Sequence, residues 1–392
     1  MSWRGLALWT SVSAMFPSDR SHVDPFRVMQ ILGEAQSRDD ALLLCVGQPS
    51  TGAPRAVIER VHSRIDASAL GYTATLGIPE LREAIAQWHA QTYGIDTAAR
   101  NVVVTTGSSG GFVALFLAAL DHGDPIAMTR PGYPAYRNAL TALGAKIIDL
   151  PCGAETRFQP TVEMLEACVE KPKALIVTSP DNPSGTIIDG AELARITDWC
   201  ERNSCLLISD EIYHGITYGR ECHSAREYSD KAVVVGSLSK YFSMTGWRLG
   251  WLIVPDELVE ALDNLQANLA LCPPAVSQEA ALAAFGPEAR AELESHVQRY
   301  ARNRALLLKR LPELGLGKCA PPDGGFYLYI DVSEHTDDSE VWVRELLNAT
   351  GVALAPGVDF DPVDGHRFVR LSFCGEYEEI LQACERLRTF MP

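Results

Sequence analysis

Ser237-Leu238-Ser239-Lys240-Tyr241-Phe242-Ser243-Met244-Thr245-Gly246-Trp247-Arg248-Leu249-Gly250-Trp251 is the stretch on which the reading of this chain turns. An apolar run, residues 232–235, leads into it, and a second, residues 249–254, closes it. Runs of this kind read as buried strands, so Lys240 falls where one of them ends. A lysine in so apolar a setting is costly to bury, and burial lowers its pKa toward the neutral amine. A neutral amine attacks a carbonyl to form a Schiff base. The ordinary alternative is a solvated loop lysine. The serines around it, Gly246 and Arg248 favour the first reading, because they are anion-binding equipment beside the amine.

Working outward, short apolar runs alternate with amphipathic segments from about residue 100 to 255, the pattern of an α/β architecture. The runs cover residues 102–104, 126–128, 146–148, 174–177, 206–208, 232–235 and 249–254. Seven near-continuous apolar runs predict a mostly parallel, seven-stranded sheet with helices on both faces. Ile78-Pro79-Glu80-Leu81 opens one helix, with proline in its first turn. Residues 257–270 and 287–311 read as two more, and 341–349 as another between short strands at 326–330 and 368–373. The expected division is a large domain over 51–285 and a smaller α+β domain over 286–392. Residues 1–50 are expected to pack with the smaller one, since chain ends often lie close together.

Charge and composition exclude several function classes. The chain has 392 residues, 47% of them hydrophobic and 21% charged, as in ordinary globular proteins. Its net charge of −16 lacks the basic footprint that nucleic acid or an anionic membrane surface requires. No apolar stretch reaches the roughly 20 residues that span a bilayer. The ten cysteines form no C-x-x-C pair, which argues against a metal site and suits a reducing cytosol. Trp3-Arg4-Gly5-Leu6-Ala7-Leu8-Trp9 is faintly like a signal peptide, but Thr10, Ser11 and Ser13 interrupt it. Residues 1–14 are expected to be a loosely packed extension, with Met15 as the natural start.

Polar clusters stand where the apolar runs end. Thr105-Thr106-Gly107-Ser108-Ser109-Gly110-Gly111 follows the first run, and Ser179-Pro180-Asp181-Asn182-Pro183-Ser184-Gly185-Thr186 the fourth. Asp210-Glu211-Ile212-Tyr213 follows the fifth, and the Lys240 segment the sixth. Ligands of open α/β sheets bind at the carboxyl ends of strands, so four such clusters describe one site. Gly107-Ser108-Ser109 entering a helix offers exposed N–H groups and a dipole to a phosphate, to which Ser237 and Arg248 could add a hydroxyl and a guanidinium. Taken alone, that turn reads equally well as a plain strand–helix connection.

Together these blocks resemble the fold-type I, pyridoxal 5′-phosphate-dependent aminotransferases of class I/II, in order and over nearly the whole chain. Asn182-Pro183-Ser184-Gly185-Thr186, Asp210-Glu211-Ile212-Tyr213 and Ser237-x-Ser-Lys240 with Gly246-x-Arg248 carry the resemblance. It implies that Lys240 holds pyridoxal 5′-phosphate as a Schiff base and then shuttles a proton between substrate Cα and the cofactor's C4′. Asp210 would keep the pyridine nitrogen protonated; Asn182 and Tyr213 would donate to the phenolate oxygen. Tyr133 would stack on the ring, where the alternative is a core aromatic after a turn. Ser108, Ser109, Ser237 and Arg248 would hold the phosphate. Tyr72 matches the tyrosine that reaches the phosphate from a neighbouring subunit, which implies a homodimer; a surface tyrosine is the plain alternative. Arg370 matches the arginine for the substrate α-carboxylate, with Gly47 nearby. Its physical case is independent: an arginine in the apolar strand Phe368-Val369-Arg370-Leu371 needs a partner, and a carboxylate fits its fork.

The implied activity is transfer of an amino group from an L-amino acid to a 2-oxo acid. Residues 249–289 contain no Arg or Lys, although one dicarboxylate-binding arginine of the family would fall there. The donor is therefore expected to be neutral, aliphatic or aromatic. A β-lyase or synthase would use the same Lys240 for its first step. Gly107-Ser108-Ser109-Gly110-Gly111 also satisfies the G-x-S-x-G of a serine hydrolase, a reading that leaves Lys240, Arg248, Asn182 and Arg370 without a task.

Overall fold

The computed structural model describes residues 17–67 and 70–391; the expectations for residues 1–14 lie outside them. The strands in chain order are β1 (Leu42–Leu43), β2 (Val102–Thr105), β3 (Pro125–Arg130), β4 (Lys146–Pro151), β5 (Ala174–Thr178), β6 (Leu206–Asp210), β7 (Val233–Ser237), β8 (Gly250–Ile253), β9 (Tyr327–Asp331), β10 (Val352–Ala353), β11 (Ala355–Pro356) and β12 (Phe368–Ser372). Each of the seven apolar runs forms a strand of one sheet, in the order β2-β8-β7-β6-β5-β3-β4. All its pairings are parallel except the two made by β8, which runs antiparallel to β2 and β7.

Strands β2, β5, β7 and β8 are buried along their whole length, as consecutive Val, Leu and Ile residues require when both sheet faces are covered. Strand β4 differs. It is one edge of the sheet, and unlike the opposite edge, β2, it exposes residues: Lys146, Asp149 and Pro151. Helices α1 (Arg27–Gln36), α2 (Arg55–Ala67), α3 (Pro79–Tyr93) and α4 (Gly107–Ala119) precede or follow the first strands. Helix α4 is apolar around nearly its full circumference, and packs Phe112, Leu115 and Phe116 against the sheet. The long helix Pro287–Arg310 runs on from the large-sheet region to a three-stranded antiparallel sheet, β11-β12-β9.

The N-terminal residues meet the C-terminal ones. Strand β1 pairs parallel with β10, Leu42 opposite Val352. The first N–H groups of α1, on Arg27 and Val28, donate to the carboxylate of Asp359 at 3.1 and 2.7 Å. A remote aspartate thus does what a local N-cap would do, and fixes where α1 begins. That placement brings Phe26, Val28 and Met29 to the rim of the cavity described next. Among the described residues, no helix is long and apolar enough to cross a membrane.

Candidate active site

The carboxyl ends of β2, β5, β6 and β7 converge on one cavity of about 350 Å³. Every site residue named from the sequence lines it except Ser237 and Tyr72. Tyr72 is 85% exposed on this chain's surface. Ser237 sits one layer back: its hydroxyl donates to Ser239 Oγ at 3.0 Å and accepts from Ser239 N–H at 3.1 Å. Ser239 itself lines the cavity, so the inner serine positions the outer one.

Lys240 reaches in from the turn after β7 and donates from Nζ to the Gly47 carbonyl at 2.7 Å. Loss of solvation lowers its pKa to about 8, helped by the Arg370 and Arg248 guanidiniums and opposed by Cys374 and Asp210. Its amine is thus far closer to neutral at physiological pH than an ordinary lysine.

Asp210 ends β6 in the protein interior. Its Oδ1 accepts from the Ile212 N–H at 3.1 Å, and its Oδ2 accepts a short hydrogen bond from the Tyr136 hydroxyl. Burial raises its pKa to about 6, and the Tyr136 and Ile212 bonds together with Lys240 restrain the rise. Tyr136 was not singled out from the sequence, although a signal was there. Pro134 starts the helix Pro134–Leu143, and Tyr136 follows Tyr133 by three residues, which places the two side by side.

Arg370 is 3% exposed, and its guanidinium lies 4.3 Å from the Tyr327 ring and 4.6 Å from that of Phe360. Nη1 donates to Asn182 Oδ1 at 2.7 Å and Nη2 to the Cys45 carbonyl at 2.7 Å, while Nε is buried without a partner. Because Oδ1 of Asn182 faces Arg370, its amide NH₂ is turned elsewhere, available as a donor. Tyr213 and Tyr327 share a hydroxyl–hydroxyl bond of 2.9 Å. Tyr327, also missed from the sequence, stands so close to Gly47 that a Cβ there would overlap its hydroxyl.

At the other end, Ser108 and Ser109 lie in the first turn of α4 beside Arg248. A Cβ on Gly107, whose φ is +67°, would come within 2.6 Å of Arg248 Nη2. Arg248 holds the left-handed backbone (φ 51°) and donates from Nη1 to the Thr245 carbonyl at 2.9 Å. A strained, non-glycine residue beside open helix N–H groups is an arrangement kept for binding. Among the described residues no histidine lines this cavity, so Ser109 lacks the histidine that the Ser-His-Asp arrangement of such a hydrolase requires.

Behind Asp210, Glu211 is buried and accepts from Ser224 Oγ and Ala225 N–H, each at 3.0 Å. Burial pushes its pKa up to about 8. A carboxyl whose folded pKa lies above its unfolded value contributes stability that is lost as pH rises through the interval between them. Glu211→Gln keeps the acceptor oxygen but cannot ionise. Its stability relative to the unsubstituted protein is therefore expected to improve between pH 5 and pH 8, by up to a few kcal/mol. Denaturant unfolding at the two pH values measures this; equal differences at both would show that Glu211 ionises freely in the folded protein.

An amine of lowered pKa, a buried carboxyl, two arginines and an open helix N-terminus at the ends of a mostly parallel sheet define a fold-type I group-transfer site. The chain belongs to the class I and II aminotransferases, whose family model (Aminotransferase class I and II) matches residues 39–387. It is similar to a valine–pyruvate aminotransferase of Mycobacterium tuberculosis, 48% identical over 379 residues that cover 95% of this chain and 98% of that protein. The crystal structure of an aminotransferase from the same organism superposes with a TM-score of 0.94 at 46% identity, covering 97% of this chain and 100% of that one. The aspartate aminotransferase of Thermus thermophilus, solved with maleate, gives a TM-score of 0.91 at 30% identity over 96% of this chain and all of the other. The enzyme thus transfers an amino group from an amino acid to a 2-oxo acid.

Proposed function

We propose that the enzyme uses pyridoxal 5′-phosphate and that its amino donor is a neutral amino acid, aliphatic or aromatic. The residues fit that cofactor: an amine of lowered pKa for its aldehyde, a buried carboxyl for its ring nitrogen, and Ser108, Ser109, Ser239 and Arg248 for its phosphate. When bound, the cofactor supplies the electron sink that lets an amino acid lose its Cα proton. Lys240 would hold the cofactor and carry the proton removed from the substrate. Asp210, oriented by Tyr136, would face the ring nitrogen and favour its protonated form. Asn182 and Tyr213 would serve as donors to the phenolate oxygen, and Tyr133 would offer a stacking surface to the ring. Arg370 takes the substrate α-carboxylate, to which its unpartnered Nε is a free donor.

The observation that carries the donor class is the composition of the cavity wall. Among the described residues its cations are Lys240, Arg248 and Arg370, all assigned, while α1 and the chain before it bring Phe26, Val28 and Met29, and Val46 adjoins them. A distal carboxylate would meet apolar surface, at a large desolvation cost. The similarity to a valine–pyruvate aminotransferase supports the same reading. Across a panel of single amino acids, valine, leucine and phenylalanine are expected to exceed aspartate and glutamate in kcat/KM by at least about tenfold. Aspartate as the best donor would overturn the assignment.

We further propose a homodimer in which Tyr72 completes the partner's phosphate site. Exposed Leu70, Leu269 and Leu271 accompany it on the surface, where the Thr73 N–H contacts Cys272 Sγ at 3.5 Å. Residues 51–285 form the cofactor-bearing domain in this reading, and 286–392 with the chain before residue 51 form the smaller one. All ten cysteines are free thiols, which suits a reducing cytosol, where we place the enzyme.

A further inference from the structure

Helix α1 begins without a cap of its own. Phe26, the residue before it, has no side-chain oxygen, and the first turn carries no acidic residue. Its first two N–H groups, on Arg27 and Val28, are met instead by Asp359, whose side chain is only 1% exposed. Arg27 ties the junction from outside: Nε donates to Glu340 at 2.9 Å, and Nη1 lies 3.6 Å from Asp359 Oδ1.

Asp359 is itself held in place by its neighbours. The Phe360 carbonyl accepts from the Gly132 N–H at 2.9 Å, and the Phe360 ring lies 4.6 Å from the Arg370 guanidinium. Asp361 pairs with Arg130 at 2.7 Å. Gly132 leads into Tyr133, and Phe26 stands edge-on to Tyr133 with ring centroids 6.2 Å apart. Three consecutive residues, 359–361, thus register the start of α1 against Arg370 on one side and Tyr133 on the other. The apolar wall of the Lys240 cavity is built from that same start, by Phe26, Val28 and Met29.

We propose that Asp359 is a positioning residue for donor selection. It does not line the cavity. By fixing the first turn of α1 it sets how far the apolar wall stands from Arg370, and so which donor side chains the enzyme favours. This role rests on the neutral-donor reading given above. A donor with a single methyl group buries little surface on the wall, whereas leucine and phenylalanine bury much more. With the anchor gone the first turn is free to fray, and the loss should grow with the donor's side chain.

Kinetics of the Asp359→Ala and Asp359→Asn holoenzymes across a donor panel test this. In Asp359→Ala, kcat/KM is expected to fall at least about tenfold for leucine and phenylalanine, chiefly through KM, and less than about threefold for L-alanine. Asp359→Asn keeps the shape and one acceptor oxygen, so it should fold and show the same ordering at roughly two- to fivefold. Hydrogen exchange at the Arg27 and Val28 amides should quicken in Asp359→Ala. Equal losses for L-alanine and leucine, no loss for either, or unchanged exchange would each overturn the proposal. Aspartate as the best donor is read in the unsubstituted enzyme and defeats the neutral-donor reading; equal losses in the variants defeat the anchor alone.

Discussion

Lys240→Ala is expected to cut kcat by at least about 10²–10⁴-fold, the range that a positioned general acid–base group supplies. The loss should approach completeness, because the residue is assigned two tasks, tether and proton carrier, and such tasks are lost together. Mass spectrometry after borohydride treatment separates them. Reduction should fix the cofactor's mass on the peptide containing Lys240 in the unsubstituted enzyme, and on no peptide of the variant. The fold should survive, since the one hydrogen bond removed is that from Nζ to the Gly47 carbonyl, at the edge of a cavity. A variant within tenfold of normal turnover would remove Lys240 from the chemistry.

Arg370→Ala is expected to lower kcat/KM by about 2–5 kcal/mol, the loss typical of truncating one member of a buried charge pair, or roughly 30- to 5,000-fold. The same substitution releases Asn182, whose Oδ1 is fixed by Nη1 at 2.7 Å, so part of the loss should appear in kcat. Arg370→Lys should recover less than tenfold of the deficit, because one ammonium cannot span the Asn182 side chain, the Cys45 carbonyl and a carboxylate at once. Steady-state kinetics with the best neutral donor measures each effect. An unchanged kcat/KM in the alanine variant would place the carboxylate elsewhere.

The large sheet was legible because its signal is local. Val102, Val103 and Val104, or Val233, Val234 and Val235, are consecutive apolar residues with both faces buried, and nothing but a covered strand accommodates them. Edge strand β4 was legible as a strand, but its exposure was not, since order in a sheet is set by crossovers rather than by composition. At the site, Lys240, Asp210 and Arg370 announced themselves as charges in apolar surroundings. Ser239 did not, because it lies in the turn just past the end of β7 at Ser237, and only the path of that turn decides which serine faces the cavity. Tyr327 is an ordinary strand aromatic until β9 is laid beside the loop at residue 47. Asp359 is further still from reading, since it caps a helix more than three hundred residues before it.

Gly47 has a consequence for how this enzyme can diverge. Any side chain at that position would displace the Tyr327 hydroxyl and with it the bond to Tyr213. The same residue's carbonyl is the resting partner of Lys240, and the Cys45 carbonyl two residues earlier is that of Arg370. Gly47 itself is therefore closed to substitution, whereas the two carbonyls that meet Lys240 and Arg370 are backbone groups that any side chain leaves in place. Met29, 52% exposed at the cavity rim, carries no such obligation. Descendants of this chain that take up new donors should record the change around Met29 and leave Gly47 as it is.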